Sequence, residues 1–482
     1  MTRFPTEGQG FCHSVGNIKI KTMKKIYIAF SFGLILHSLA AQTGSLSAGS
    51  QSFLSNYAIN PALGSSDVKF ALGLPSLQLD MNNTFKISDL LEKTGSTTFA
   101  DLNKFAHNLS DKNHFSLAAT AQLGHLGIRI KGIYVSVGAE LFSNTEASFS
   151  NMALKVFLDG NKMYPNVVLN DGNFYHQSFM TTYLGVSRTF LDDKLSIGIR
   201  MKQLKGIGHL ETEKMNYSVQ TDLNSNPAYA LQIKTDMVAK AGGIFAPIFN
   251  ALNNPTQLAN LSSNIQSNLM TGTGLGFDLG VSYKINPKIN VAASIINIGS
   301  LSWKQENGVD IASKGSGTFN WSGYSYKIGA DNAPLNTDSL AQSAKDAFIP
   351  ATTQTAYLSR LPTLFYVGAS YQLSEKQQIS GVFRSQKVGL FTNTLLGVNY
   401  RYQLLKSLQL SGGVSLPSNS NMTVGGGLVW SPGPVQLYLM TDNISNVDNA
   451  KRINLQVGLN IVLRTKKEMV QEASKIEPPQ KK

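Results

Sequence analysis

Leu279 to Asn297 reads LGVSYKINPKINVAASIIN, and its reading decides the fold. On the first arm Leu279, Val281, Tyr283 and Ile285 share one parity. Beyond Asn286-Pro287-Lys288 the second arm places Ile289, Val291, Ala293 and Ile295 on one parity as well. Period-two alternation gives a strand one apolar face and one polar or small face, and the short turn joins the arms as an antiparallel hairpin. Variants recur as LGVSRTFLDDKLSIGIRMK (Leu184 to Lys202), VGASYQLSEKQQISGVFRS (Val367 to Ser385) and LGVNYRYQLLKSLQLSGGVSL (Leu396 to Leu416). The two faces of each arm must meet different surroundings.

The same alternation runs outward in both directions. On the N-terminal side it places Val68, Phe70, Leu72 and Leu74 on a first strand, then Phe115, Leu117, Ala119 and Ala121, and then Ile133, Val135, Val137 and Ala139. On the C-terminal side it takes in Met422 to Trp430, Val435 to Leu439 and Ile453 to Leu463. The last of these sets Asn454, Gln456, Gly458 and Asn460 on its other face, an uncharged stripe suited to a hydrated or loosely packed interior. Counting such segments predicts an all-β chain: a closed antiparallel transmembrane β-barrel of about 14 strands, with roughly 12–16 compatible, and short helical insertions. An even count puts both chain ends on the periplasmic side together with the tight turns LDDK, INPK and LSEK, while the long connections lie outside. Closure also removes the exposed strand edges that so many hairpins would otherwise leave.

Bulk composition fits this reading. Only 15% of the 482 residues are charged and 42% are hydrophobic, with a mean hydropathy of −0.07. Outside the N-terminus no apolar run reaches the ~18 residues of a spanning helix. A barrel averages out in this way because lipid-facing and lumen-facing residues alternate. The competing fold is a secreted β-sandwich or β-solenoid. Strand lengths near those of a tilted bilayer span, and Trp303 and Trp430 at strand ends as interfacial girdle residues, favour the barrel.

Met23 onward reads MKKIYIAFSFGLILHSLAAQ: Lys24 and Lys25, an apolar stretch from Ile26 to Leu36, and small residues at Ser38 to Ala41. This is the make-up of a secretory signal over residues 23–40, and it predicts export to the cell outer membrane of a Gram-negative bacterium. Residues 1–22 then read as an upstream start-site extension. Cys12, the single cysteine, lies in that extension, so disulfides, a thiolate nucleophile and a lipidated N-terminal Cys are all excluded from the mature chain. Of the formal charge of +13, the first 40 residues carry +4 and residues 464–482 carry +3. The remainder is diffuse, which gives no support to nucleic-acid binding.

Three regions break the strand rhythm. Phe85 to Leu109 fits one or two short helices, giving a helical insertion near 86–110 that is expected to act as a lumen hatch. Ala239 to Gly272, with helices expected over Gly243 to Leu252 and Pro255 to Leu269, and Ser302 to Pro362, with a short helix over Thr337 to Ala347, read as long loops carrying their own structure. Beyond Leu463 the pattern stops, and residues 464–482 read as a charged periplasmic tail.

The order of these parts carries a resemblance. INPALGSSDVKFALGLPSL, then LSDKNHFSLAATAQLGHLGIRIKGIYVSVGAE, then hairpins of the LGVSY kind, together covering Ser45 to Leu463, resemble an uncharacterised family of outer-membrane β-barrels common in Bacteroidetes. More distantly, Asn60-Pro61-Ala62 before the first strand is similar to fatty-acid transporter-like barrels, whose comparable segment belongs to an N-terminal hatch in the lumen. The same triplet also reads as an Asn-Pro turn entering a strand. The last strand departs from many bacterial barrels, since it ends on Val462-Leu463 and not on an aromatic residue.

Chemistry-bearing motifs are absent from the sequence. The seven histidines form no HxxxH or HxH pair, and His107, His114 and His125 would meet around a metal only by coincidence of folding. There is no GxSxG elbow, and Gly272-Thr-Gly274-Leu-Gly276 precedes a strand where a phosphate loop would open a helix. Asp278 and Asp442 stand out on strands otherwise poor in carboxylates, with Lys284 and Arg384 as candidate partners. The chain therefore reads as no enzyme, with no catalytic, cofactor-binding or metal residues and no cofactor. The leading expectation is a channel or transporter-like barrel for a small molecule, hydrophobic ones included. The alternative is a non-transport barrel that anchors or assists a secretion or surface-assembly system. Expected partners are membrane lipid and either a small hydrophobic solute or a secretion-system protein, without nucleic acid.

Overall fold

The computed structural model describes residues 52–64, 67–94, 97–170, 172–224, 230–252, 254–313, 318–321, 349–444 and 451–464. The signal over 23–40 with the stretch before it, the helix expected over Thr337 to Ala347 and the charged tail lie outside these residues.

Fourteen antiparallel staves close on themselves. The first five are β1 (Val68–Gly73 and Ser76–Asn83), β2 (Lys112–Ile130), β3 (Ile133–Ser150), β4 (Asn173–Phe190) and β5 (Leu195–Asp222). Three composite staves follow: β6 (Ala230–Gly243 and Gly272–Lys284), β7 (Ile289–Trp303, Gly308–Ala312 and Thr318–Trp321) and β8 (Ala351–Gln354, Tyr357–Arg360 and Thr363–Ser374). The ring is completed by β9 (Gln377–Val388), β10 (Phe391–Leu405), β11 (Leu408–Pro417), β12 (Thr423–Trp430), β13 (Val435–Thr441) and β14 (Arg452–Arg464). Pairing of Leu72 with Ile461 and of Leu79 with Leu455 joins β14 to β1. β1 breaks at Leu74-Pro75 because a proline brings no N–H to the ladder.

Alternation sorts the faces. On β5, Ser196, Arg200, Lys202 and Leu204 are buried in the lumen, while Ile197, Ile199 and Met201 are 45–50% exposed on the outside. Exposed apolar side chains of this kind recur on every stave from β2 to β14, for example Leu279, Phe383, Val398 and Leu439. A continuous apolar belt around a closed barrel has no aqueous counterpart, and lipid is the surroundings it fits. The strip of Asn454, Gln456, Gly458 and Asn460 faces the lumen.

Trp303 differs from its expected girdle position. It is fully buried inside the barrel, where its Nε1 donates to Ser359 Oγ at 2.9 Å, whereas Trp430 is 45% exposed on the belt. The reason is a β-bulge at Asn297, whose φ of 61° adds one residue to β7. Odd-numbered residues face outward up to Ile295. Past the bulge Ile298 faces outward and Leu301 and Trp303 turn in.

The helices expected over Gly243 to Leu252 and Pro255 to Leu269 are present, but the three irregular regions differ from expectation in how they join the wall. The long loop expected over Ala239 to Gly272 is an insertion within a single stave. Gly243 pairs with Gly208 and Gly272 with Gly206 on β5, so residues 244–271 leave the wall and return to the same line. Gly243, at φ 61°, turns the chain out. With helices α1 (Phe53–Ile59), α2 (Leu102–Asn108) and α3 (Asn151–Asp159) earlier in the chain, the insertion holds α4 (Ala246–Leu252), α5 (Pro255–Ala259) and α6 (Leu261–Ser267). Phe245 and Phe249 pack on the outer wall at Ala239, Ala241, Val309 and Ile311, so these helices lie outside the barrel. Most of the described part of Ser302 to Pro362 is wall as well. Its strands of four or five residues extend β7 and β8 beyond the belt, and such short pieces show no readable period.

The segment near 86–110 is not a lumen hatch of helices. It holds a single turn at Ile87–Asp89, a hairpin (Leu91–Thr94 with Thr97–Ala100) and one helix, Leu102–Asn108, whose N-terminal Lys104 N–H is accepted by Asp101. It follows the end of β1 on the long-loop side. There the Phe85 ring lies 5.2 Å from Phe105 and 6.0 Å from Phe149 at the end of β3, and the helix packs against the next one, Asn151–Asp159.

Candidate functional site

The lumen is occupied by residues that precede the first stave. Phe53–Ile59 forms a helix of about two turns, followed by a tight 3-10 turn at Pro61–Gly64. A helix this short has no stability of its own in water. Phe53, Leu54, Tyr57 and Ile59 are buried on different sides of it, so the barrel wall supplies the packing. The helix stops at Asn60 because Pro61 disfavours helical backbone in the residue before it.

Hydrogen bonds tie this plug to six staves. Tyr57 OH meets Ser136 Oγ on β3 at 2.7 Å, Phe53 N–H donates to Gln436 on β13, and Gln456 on β14 donates to Ser55 Oγ. Arg200 Nη2 on β5 donates to Ala58 O at 2.7 Å, and Ser294 Oγ on β7 donates to Ile59 O, so the unpaired carbonyls of the last helical turn are capped by the wall. Asn60 Nδ2 donates to Val281 O on β6 at 3.0 Å and to Ala293 O on β7 at 3.2 Å, while its Oδ1 accepts the Ala62 N–H.

Close approach of plug and wall needs glycines, Gly280 and Gly198 among them. A Cβ on Gly280 would strike the Asn60 carboxamide, and one on Gly198 would strike the Pro61 carbonyl carbon and oxygen. Gly280 is the glycine of the LGVS hairpin stretch, so the recurring motif includes part of the seat of the plug.

Arg200 organises the charges around that seat. Its guanidinium pairs with Asp278 at 2.8 Å and lies over the Tyr57 ring, 5.0 Å from the centroid. Lys202 Nζ is also 2.8 Å from Asp278, which accepts the Asn297 N–H at the β7 bulge. Lys284, the candidate partner for Asp278, sits six residues along the same strand, about 20 Å away. Asp442 pairs with Arg452 at 3.2 Å, and Arg452 also reaches Asp80 at 3.3 Å.

Above the plug, toward the long loops, side chains bridge staves that are not neighbours. Arg384 on β9 reaches Asp80 on β1 at 3.7 Å, and Asn393 on β10 donates to Glu146 on β3 at 2.7 Å. Gln177 on β4 donates to Ser359 on β8 at 2.9 Å. Each of these bonds crosses the lumen. Phe142, Phe179, Leu204, Leu301, Trp303 and Leu361 fill the space between with an apolar cluster.

Two cavities remain on either side of the plug. One of 270 Å³ on the short-turn side is lined by Phe53, Tyr366, Ser380 and Arg401 among others. A smaller one of 80 Å³ on the far side is lined by Ile59, Phe142, Phe179 and Ile296 with Arg200, Lys202 and Arg384. The lining also holds Glu140, Gln78 and Gln386, and the three cations are paired with Asp278 and Asp80, so the cavity suits a small molecule with an apolar body and a polar end.

The three histidines considered as a metal cluster are apart. His114 Nε2 lies 2.9 Å from Glu146 in the upper lumen, His125 bonds Tyr183 and Tyr134 beside the plug, and His107 faces Asp159 at the rim. Among the described residues no group of three potential ligands converges. Sequence reasoning did not single out Phe53, Tyr57, Arg200 or the wall glycines; only Asn60-Pro61-Ala62, through its resemblance, pointed toward the plug.

Comparison with known proteins gives barrels of similar design at low identity. The chain is similar to the Pseudomonas putida toluene transporter TodX at 11% identity and TM-score 0.38, over 88% of this chain and 95% of that one. Similarity to a Pseudomonas aeruginosa FadL homologue is at 10% identity and TM-score 0.41, over 88% and 96%. The translocator domain of the Neisseria meningitidis autotransporter NalP gives 6% identity and TM-score 0.29, over 82% and 88%. No curated protein matches. Over residues 61–442 the sequence fits one family model, and the chain belongs to that family, the family of unknown function DUF5723.

Proposed function

We propose that this barrel stands in the outer membrane, short turns toward the periplasm, and passes a small molecule through a lumen held shut at rest by residues 52–64. The observation that carries the proposal is the plug itself, a short segment ahead of the first stave that is bound to the wall through side-chain hydrogen bonds and separates two cavities. Bonds of this kind, each contributing about 0.5–1.5 kcal/mol net, can be exchanged without breaking the barrel ladder. The lining of the smaller cavity favours a solute with an apolar body and a polar end.

The bonds across the upper lumen favour a second reading. Glu146 with Asn393 and Asp80 with Arg384 would also serve a barrel that never opens and anchors a secretion or surface-assembly partner. Single-channel recording in planar bilayers separates the two. Deleting residues 52–64 together with Arg384→Ala and Asn393→Ala is expected to give stable conducting steps where the parent barrel is silent. A silent, correctly folded variant would overturn the passage and leave the anchor.

A further inference from the structure

The inserted helices α4–α6 carry a groove on the outside of the barrel that has no part in the lumen. It has a volume of 340 Å³ and lies between these helices and the upper ends of β7 and β8. Its polar lining is six carboxamides, Asn250, Gln257, Asn260, Asn264, Asn268 and Gln354, with Thr256 and a single carboxylate, Glu306. Asn260, Asn264 and Asn268 recur every four residues, which puts them on one face. Asn260 and Asn268 flank the last of these helices as its N- and C-cap residues, positions that favour Asn, and only Asn264 stands within it.

The side-chain amides of Asn250, Gln257, Asn260, Asn264 and Gln354 make no hydrogen bond to protein among the described residues, and Asn268 Oδ1 is buried there without a donor. Each carboxamide offers two N–H donors and an acceptor oxygen and brings no net charge. A ligand matching that array presents many hydroxyls, each both donor and acceptor, and no ionised group. The anchorage is rigid, since Phe245 and Phe249 hold α4 on the outer wall. The location is informative too. The insertion rejoins β6 at Gly272, three residues before exposed Leu275 opens the lipid-facing belt of that stave, and Leu269 and Met270 beside it are about 40% exposed. The groove therefore lies at headgroup height, at the outer boundary of the membrane.

We infer that this groove binds neutral carbohydrate at the outer surface, either as the sugar headgroup of an outer-leaflet glycolipid or as a free surface glycan. The test uses the full chain in phosphatidylcholine nanodiscs, applied to an array of neutral oligosaccharides of glucose, galactose, mannose and N-acetylglucosamine. Binding to at least one sugar is expected, weakened tenfold or more by Asn260→Ala/Asn264→Ala, a pair that leaves the barrel ladder untouched. Heat-modifiable gel mobility verifies that the variant barrel is folded. The same sugar is then offered on a lipid anchor within the nanodisc. Tighter binding that Leu269→Ser reverses identifies a glycolipid, and equal binding identifies a free glycan. Absence of binding to every sugar, or binding that the double variant leaves unchanged, overturns the inference.

Discussion

Arg200 meets three demands at once: it neutralises Asp278, caps the carbonyl of Ala58 and covers the face of Tyr57. Buried charges are safe only while such partners last. Arg452→Ala leaves Asp442 and Asp80 without the cation between them, and a loss of about 3–5 kcal/mol is expected from urea unfolding in lipid vesicles. Arg464→Ala removes an exposed pair with Asp67, and the same experiment should register less than about 1 kcal/mol. Asn60→Ala deletes the Nδ2 group that donates to Val281 O and Ala293 O on the wall. The expected cost of about 1–2 kcal/mol corresponds to a rise of about 5- to 30-fold in the open fraction read in planar bilayers. At this scale the sequence was partly legible. Asp278 was recognisable as the lone carboxylate of Gly272–Lys284, but its partners Arg200 and Lys202 lie on β5, and only the β5–β6 register brings them together.

Residues 244–271 show what pattern reading can and cannot recover at the level of elements. Their helical period was visible, with Pro255 and the apolar Ile244, Phe245 and Phe249 as markers. Their place was not, because nothing local says that Gly243 and Gly272 belong to one line of the wall, with only Ile207 between their partners on β5. Replacing 244–271 by a single serine is therefore expected to leave a folded, heat-modifiable barrel. It should also uncover Ala239, Ala241, Val309 and Ile311, read as increased binding of a hydrophobic dye in detergent-free nanodiscs. The short strands within Ser302 to Pro362 were hidden for a related reason. Four residues hold two alternations, too few to tell a strand from a loop.

The whole molecule is a wall whose outer face follows from sequence parity and whose interior does not. Alternation along LGVSYKINPKINVAASIIN assigns Leu279 and Val281 to lipid, as the exposed belt has them. Parity survives until a bulge, and the extra residue at Asn297 reverses it for Trp303. Brominated lipid is therefore expected to quench Trp430 in a variant carrying Trp303→Phe and Trp321→Phe. It should leave Trp303 unquenched in the variant carrying Trp430→Phe and Trp321→Phe. The plug was the least legible part, since its short helix owes its shape to a lumen built from residues hundreds of positions away. A disulfide tests its placement most directly. Asn60→Cys and Gly280→Cys would stand at bonding distance, because a Cβ on Gly280 falls 3.0 Å from Asn60 Cγ. In intact outer membranes the account predicts a cross-link that oxidation forms and reduction releases, seen as a mobility shift in the unfolded chain. Two thiols that stay uncross-linked under oxidation and react freely with a maleimide in the folded barrel would contradict a plug seated in the lumen.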